Sequence, residues 1–206
     1  MTRQFALLLT VALVGCASTQ EEQPPATTAA VIAVGVDARD TPRVAPKPTE
    51  TFTDDQVLAI LSVYNKGEAR LNQMAHERSK DPRVLTFAKT LFEDHTAAIS
   101  QEQRLADKLV MKPVTTDKMR DLERVNDNDA AQLSALGGHE FDVAFASNQV
   151  DRERDALAML DVQLIPSSRV PDVRAHLADL RDRVDHHLRD AQELQRTLGG
   201  PIIAQK

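Results

Sequence analysis

Four long segments of the chain carry apolar residues at alternating steps of four and three positions. This spacing places the apolar side chains on one face of an α-helix, and no stretch between the segments alternates as a strand would. Proline residues and pairs of glycines break the pattern between the segments. The predicted helices cover about 53–79, 82–110, 117–136, 139–164 and 171–198. We therefore predict an all-α fold of four long helices and one short helix.

The short predicted helix, 117–136, stands between the second and third long helices. Each long helix is roughly 40 Å long at ~1.5 Å per residue. A connector of this size can run the length of a bundle and return the chain to the same end, as in ferritin-like folds. We predict a ferritin-like four-helix bundle over residues 53–200, with the short extra helix in the crossover between long helices two and three.

Titratable side chains interrupt the apolar face of every long helix. A charged group that is buried without a partner costs several kcal/mol, so we expect these groups to meet in the core. They could bind a metal ion, or they could form a polar layer that fixes the packing. The candidate residues are Glu68, His95, Asp142, Glu153 and His187.

Other polar residues fall outside these faces and are predicted to contact solvent. They include four further histidines, one arginine and one acidic segment. These are His76, His139, His176, His186, Arg152 and the segment 126–129.

The Glu-x-x-His motif of ferritin-like di-iron proteins is missing from the two core positions where it would be expected. Phe92 stands three residues before His95, and Val184 stands three residues before His187. A di-iron site of the usual carboxylate type is therefore not predicted. We predict no catalytic residues, and any cofactor is unknown apart from the possible metal ion.

The N-terminal segment predicts export and lipidation. Arg3 precedes a ten-residue apolar run that is too short to span a bilayer. The run ends in Leu-Val-Gly-Cys16, which looks like a bacterial lipobox, and this resemblance implies that Ala17 favours sorting to the outer membrane. We predict a lipoprotein signal peptide at 1–16, a disordered Pro/Thr/Ala-rich linker at 17–52 and a tail at 201–206, with acyl chains on Cys16 as the membrane anchor.

The charge balance argues against nucleic acid as a partner. The chain has 25 basic and 31 acidic residues, a net charge of -6, and aromatic residues make up 3% of it. Nucleic-acid binding requires basic patches and often uses stacking aromatic side chains. Protein partners are not predicted by the sequence.

Four short motifs resemble those of one bacterial family. They are Asn65-Lys66-Gly67-Glu68, Phe87-Ala88 with Asp94-His95-Thr96, Gly138-His139-Glu140-Phe141-Asp142, and His187-Leu188 with Ala191. The chain resembles the exported ferritin-like family called domain of unknown function 4142, whose members are also labelled predicted outer membrane proteins. The resemblance covers roughly residues 53–198. It implies a helical bundle in the cell envelope and no settled activity.

One position departs from the family pattern. Members commonly carry a histidine shortly after a Gln-Val pair on the third long helix, and Glu153 stands there in this chain. A carboxylate favours harder metal ions, which makes soft or borderline ions such as copper less suitable.

These observations predict a non-enzymatic binding or stress-related module on the periplasmic face of the outer membrane. The first alternative is a metal-dependent oxidase or metal-binding protein that uses the inner polar residues. The second is a protein-interaction scaffold, which would require a large exposed apolar patch.

Overall fold

The computed structural model describes residues 50–112 and 114–199, and every regular element in these two ranges is helical. The elements are α1 (Asp54–Arg78), α2 (Pro82–Lys108), α3 (Asp117–Ser134), α4 (Gly138–Met159), a π-helical turn (Leu160–Leu164), α5 (Ile165–Ser167) and α6 (Pro171–Thr197). The all-α class is confirmed. The signal peptide with Cys16, the linker as far as residue 49 and the C-terminal tail lie outside the described residues.

Side-chain caps set the starts of three helices. The Thr53 backbone N–H donates to Gln56 Oε1 at 2.9 Å, as the capping box at this position predicts. Asp81 accepts from the backbone N–H of Arg83 at 2.9 Å, with Pro82 as the first residue of α2. Thr116 accepts from the backbone N–H of Met119 at 3.1 Å. Because these bonds satisfy free N–H groups, the helices begin where the sequence predicts.

The long helices pack in two pairs. α1 packs along α2, and α4 packs along α6; α2 also contacts α6, and α1 contacts α4. The shorter α3 packs against α1 and α4. The short connection Ser79–Asp81 places α2 next to α1. The π-helical turn and α5 extend α4 to Ser167, and the short connection Ser168–Val170 then leads into α6.

Two apolar clusters form the core. One includes Leu61, Ala98, Ala156, Leu160, Leu177 and Val184. The other includes Leu71, Leu91, Phe145, Val150, Ala191 and Leu194. Each long helix contributes to both clusters, and it passes from one to the other through a short polar stretch. Those stretches contain Glu68, His95, Glu153 and His187. The polar residues therefore lie between two apolar clusters, in the middle of the helices.

In the part of the chain that the structure describes, none of the helices has the length and apolar character needed to cross a membrane.

Candidate metal centre

Three helices bring His95, Glu153 and His187 together in the core. All three side chains are buried, with 4% exposure or less. Glu153 Oε1 lies 3.6 Å from His95 Nε2 and 3.7 Å from His187 Nδ1. One nitrogen or oxygen from each side chain lies within 4.8 Å of the others. Of the five residues that the sequence singled out as candidates, the structure brings these three together in one cluster.

The three facing atoms share an unusual property. His95 Nε2, His187 Nδ1 and Glu153 Oε1 are buried and have no hydrogen-bond partner among the described residues. A buried polar atom without a partner costs free energy, so such atoms are rare in folded proteins. Here three of them face one another, which is an arrangement suited to a shared cation.

The separations also fit a metal ion. Bonds of ~2.0–2.1 Å in tetrahedral geometry place two ligand atoms about 3.3 Å apart. The observed 3.6 and 3.7 Å are longer than a good hydrogen bond and close to that value. Small side-chain adjustments would therefore allow all three atoms to bind one ion, which leaves a fourth position for water or another ligand.

In each of the two histidines, the ring nitrogen that faces away from Glu153 makes a hydrogen bond. Asn65 Nδ2 donates to Glu102 Oε1 at 2.6 Å, which turns Asn65 Oδ1 toward His95 Nδ1 at 2.8 Å. Asp94 Oδ2 lies 2.9 Å from His187 Nε2. Each contact places the ring proton on the nitrogen that faces away from Glu153. The lone pairs of the inner nitrogens then point toward the shared position, as metal-binding histidines require.

Tyr64 completes the surroundings of Glu153. Its hydroxyl donates to Glu153 Oε2 at 2.9 Å, and its ring lies edge-on to His95 with centroids 5.8 Å apart. Burial, together with the nearby charge of Glu153, raises the pKa of Tyr64 well above 10.0. The phenol therefore stays protonated and orients Glu153 so that Oε1 faces the two imidazoles.

The charge of His95 depends on its carboxylate neighbours. Burial disfavours the imidazolium, but the contact with Glu153 and the charge of Glu68 outweigh this effect and raise the pKa of His95 above 6.5. A proton and a metal ion therefore compete for the same nitrogen, because a histidine binds metal only in its neutral form.

Glu68 lies outside the set of facing ligand atoms. Its Oε1 accepts from Arg152 Nε, and its Oε2 accepts from Gln149 Nε2 at 3.2 Å. Burial favours the neutral carboxyl, but the Arg152 guanidinium dominates and holds the pKa of Glu68 below its ordinary value of 4.5. Glu68 is thus an ionised partner of Arg152, and both of its oxygens have donors.

The prediction that Arg152 faces solvent is wrong. Its side chain is 7% exposed, and it reaches Asp129 Oδ2 at 2.7 Å and Asn126 Oδ1 at 2.8 Å as well as Glu68. Asn126, which was also expected on a solvated face, is buried. The reason is that α3 covers this side of α4, which leaves α4 with a wider buried face than a two-helix contact would give.

Asp142 is buried, as its position on the inner face of α4 predicted. It precedes Glu153 by eleven residues on the same helix, which is about 16 Å along the axis. Asp142 therefore cannot bind the ion that Glu153 would bind.

The remaining histidines divide into two groups. His76, His139 and His186 are exposed, in agreement with prediction. The prediction for His176 is wrong, because this side chain is buried and its Nε2 lies 3.6 Å from Glu102 Oε1. His176 lies three residues after Val173 and four before Leu180, so a broad inner face of α6 includes it.

Solved structures with similar folds include two that cover most of the described chain. One is described as a secreted protein, DUF305, from Streptomyces coelicolor, with 14% identity and a TM-score of 0.63 over 74% of this chain and 98% of that one. The other is CopM in the Cu(II)-bound form, with 13% identity and a TM-score of 0.58 over 72% of this chain and 99% of that one. At these identities the likeness concerns the fold. No curated protein matches the sequence.

The sequence also matches a protein family directly. The match covers residues 39–194, which include all of α1 to α5 and most of α6. The motifs identified in the sequence lie within this range, and they contribute His95 and His187 to the buried cluster and Glu68 beside it. The chain belongs to the family described as domain of unknown function (DUF4142).

Proposed function

We propose that this protein binds one divalent transition-metal ion between His95 Nε2, Glu153 Oε1 and His187 Nδ1. The observation that carries the proposal is the convergence of three buried ligand atoms that lack other partners in the described ranges. Three hydrogen bonds support it: Asn65 Oδ1 accepts from His95, Asp94 accepts from His187, and the Tyr64 hydroxyl donates to Glu153. They orient all three ligands toward one point.

The donor set indicates the class of metal. Imidazole nitrogen suits zinc, copper, iron and nickel, and a carboxylate is compatible with divalent ions of this group. Two imidazoles and one carboxylate therefore favour a first-row transition metal over calcium or magnesium. CopM, whose fold is similar, is described in a Cu(II)-bound form, which supports testing copper(II) alongside zinc(II).

A binding role fits the site better than turnover. The three ligands are almost fully buried, so a substrate would have no direct access to the ion. Glu68 is engaged by Arg152, and its carboxylate is therefore not free to act as a ligand of a second ion in a dinuclear site. We infer that the protein holds a metal ion and that oxidase activity is the weaker alternative.

The remaining parts of the proposal concern architecture and location. The two helix pairs, with α3 between α2 and α4 in the chain, support a ferritin-like four-helix bundle. The lipobox-like sequence that ends at Cys16 supports attachment of this bundle to the outer membrane on its periplasmic face. The function would then be to bind a transition metal within the cell envelope.

Metal retention by the full chain tests the metal site. The protein would be purified in detergent, loaded separately with zinc(II) and copper(II), dialysed and measured by mass spectrometry. We expect tightly held metal that is lost in His95→Gln and in His187→Gln. His186→Gln is the matched control, because His186 is adjacent to His187 but exposed. Equal retention in all three variants, or none in the wild type, would contradict the proposal.

Lipidation requires a separate test. In a bacterial host that processes lipoproteins, the wild type should incorporate labelled palmitate and fractionate with the outer membrane. Cys16→Ser should abolish both results. Labelling that persists in Cys16→Ser, or recovery of the wild type in the soluble fraction, would disprove the anchor without affecting the metal site.

A further inference from the structure

A second buried imidazole and carboxylate face each other on two of the helices that supply the metal centre. Glu102 follows His95 by seven residues on α2, and His176 precedes His187 by eleven residues on α6. Steps of seven and eleven residues are close to whole numbers of helical turns. Glu102 therefore shares a face of α2 with His95, and His176 shares a face of α6 with His187. The two helices therefore present a second polar level to the core, about 10 Å from the first along α2.

The geometry of this pair repeats that of His95 and Glu153. His176 Nε2 lies 3.6 Å from Glu102 Oε1, which equals the distance between His95 Nε2 and Glu153 Oε1. Both side chains are 2% exposed or less. The separation exceeds a good hydrogen bond and approaches the spacing of two ligands on one ion.

Three atoms of the pair lack hydrogen-bond partners within the described chain. They are Glu102 Oε2 and both ring nitrogens of His176. Burial raises the pKa of Glu102, and its contacts with His176 and Asn65 offset this effect only in part. The pair therefore has unused ligand capacity and an incompletely compensated carboxylate in a buried position.

A cleft lies next to Glu102, although its side chain is buried. Glu102 contributes to the wall of a cleft of about 430 Å³, which is lined by residues of α1, α2 and α3 together with Met111, Lys112 and Val114. The charged residues on the wall are three acidic ones, Asp55, Glu102 and Asp107, and two basic ones, Lys66 and Lys112. A cation that arrives through this cleft could keep several of its water ligands.

We propose that Glu102 and His176 form a second cation site, which takes a divalent metal ion with water in its remaining coordination positions. It binds more weakly than the first site, because the protein supplies two ligand side chains rather than three. Asn65 connects the two sites, since its amide contacts both Glu102 and His95. The second site does not depend on occupation of the first.

Zinc(II) binding to the full chain, measured by equilibrium dialysis over a range of free zinc, tests this proposal. We expect a tight step and a second, weaker step. His176→Gln should remove the weaker step and retain the tight one. Glu102→Gln should also remove the weaker step, and it tests that step alone because Glu102 also holds Asn65 against His95. His95→Gln should do the reverse of His176→Gln, so failure of one site can be distinguished from failure of the other. His139→Gln, at an exposed position, is the control for histidine removal.

A plain ion pair between Glu102 and His176 predicts a different result. In that case His176→Gln would lower the melting temperature without changing the number of zinc ions bound, and this outcome would overturn the proposal. A weaker step that survives in both Glu102→Gln and His176→Gln would also overturn it. Glu102→Asp provides a milder variant if the others unfold, and it should weaken or abolish the second step.

Discussion

Asp94 and His187 connect α2 to α6 through a 2.9 Å contact between the Asp94 carboxylate and His187 Nε2. Asp94 is 41% exposed, whereas its neighbour in sequence, His95, is buried on the other side of the same cluster. Asp94 and His95 are consecutive residues of α2, but they have different roles. His95 faces the proposed ion directly, and Asp94 fixes the ring of the second histidine from the edge of the core.

Removal of the Asp94 carboxylate should weaken metal binding more than it affects folding. Without it, His187 loses the acceptor that keeps its proton on Nε2, so we expect Asp94→Ala to lower zinc affinity ~10–100-fold. Competition with a chelator of known affinity would measure this change. Asp190→Ala is the control, because Asp190 is similarly exposed and contacts the exposed His186. Equal affinity in the two variants would exclude a role for Asp94 in orienting His187.

The Arg152–Glu68 ion pair should dominate stability in the polar layer. Arg152→Met would leave the Glu68 carboxylate buried without its cation, and we expect a loss of about 3–5 kcal/mol in the free energy of unfolding. Urea denaturation of the metal-free protein would measure it. Arg154→Met should cost less than about 0.5 kcal/mol, because Arg154 is exposed and pairs with exposed Asp151. If both variants lost a similar amount of unfolding free energy, burial of the Arg152–Glu68 pair would be unimportant for stability.

Acid should remove the contribution of Glu68. Its pKa is lower in the folded protein than its ordinary value of 4.5, so the folded state favours the ionised carboxylate. This contribution is fully present above about pH 4.5 and is lost as the pH falls through the lower folded pKa. The difference in unfolding free energy between the wild type and Glu68→Gln should therefore stay constant from about pH 7 to about pH 5 and shrink as the pH falls below about 4.5. A difference that stays constant below about pH 4.5 would contradict the assignment.

Gly67 allows α3 to approach α1 closely. A Cβ atom at this position would clash with the Asn126 side chain, which contacts Arg152 and the Val63 carbonyl. Gly67→Ala should cost about 1–3 kcal/mol, although alanine favours helices by ~1 kcal/mol over glycine. Thermal and urea unfolding would measure the cost. In an Asn126→Ala background, Gly67→Ala should become neutral or stabilising; an unchanged cost there would locate the strain elsewhere.

The amino-acid pattern accounts for the helices and for part of the site. The four-and-three spacing, the caps at Thr53, Asp81 and Thr116, and the breaks between segments predict the helices and their inner faces. His95, Glu153 and His187 were recognised because they interrupt apolar faces. Local hydrogen bonding and side-chain periodicity determine these features, and both depend on residues close together in the chain.

The sequence placed some polar residues incorrectly or left their partners open. Arg152 and His176 were assigned to solvent, although the first is covered by α3 and the second lies on a broad inner face of α6. Asp142 was grouped with the other candidates, although it lies about three turns from Glu153 on α4. Periodicity identifies the face of a helix but not how many neighbours cover that face.

The sequence by itself determined an all-α chain with titratable groups on its inner faces. The tertiary structure decided that His95, Glu153 and His187 meet, that Glu68 pairs with Arg152 and that Glu102 faces His176. Helix spacing is a local property, whereas the relative height and rotation of packed helices depend on how all of their side chains fit together. Packing between segments that are distant in the sequence therefore decides whether a buried titratable group is free to bind a metal ion or is neutralised in an ion pair.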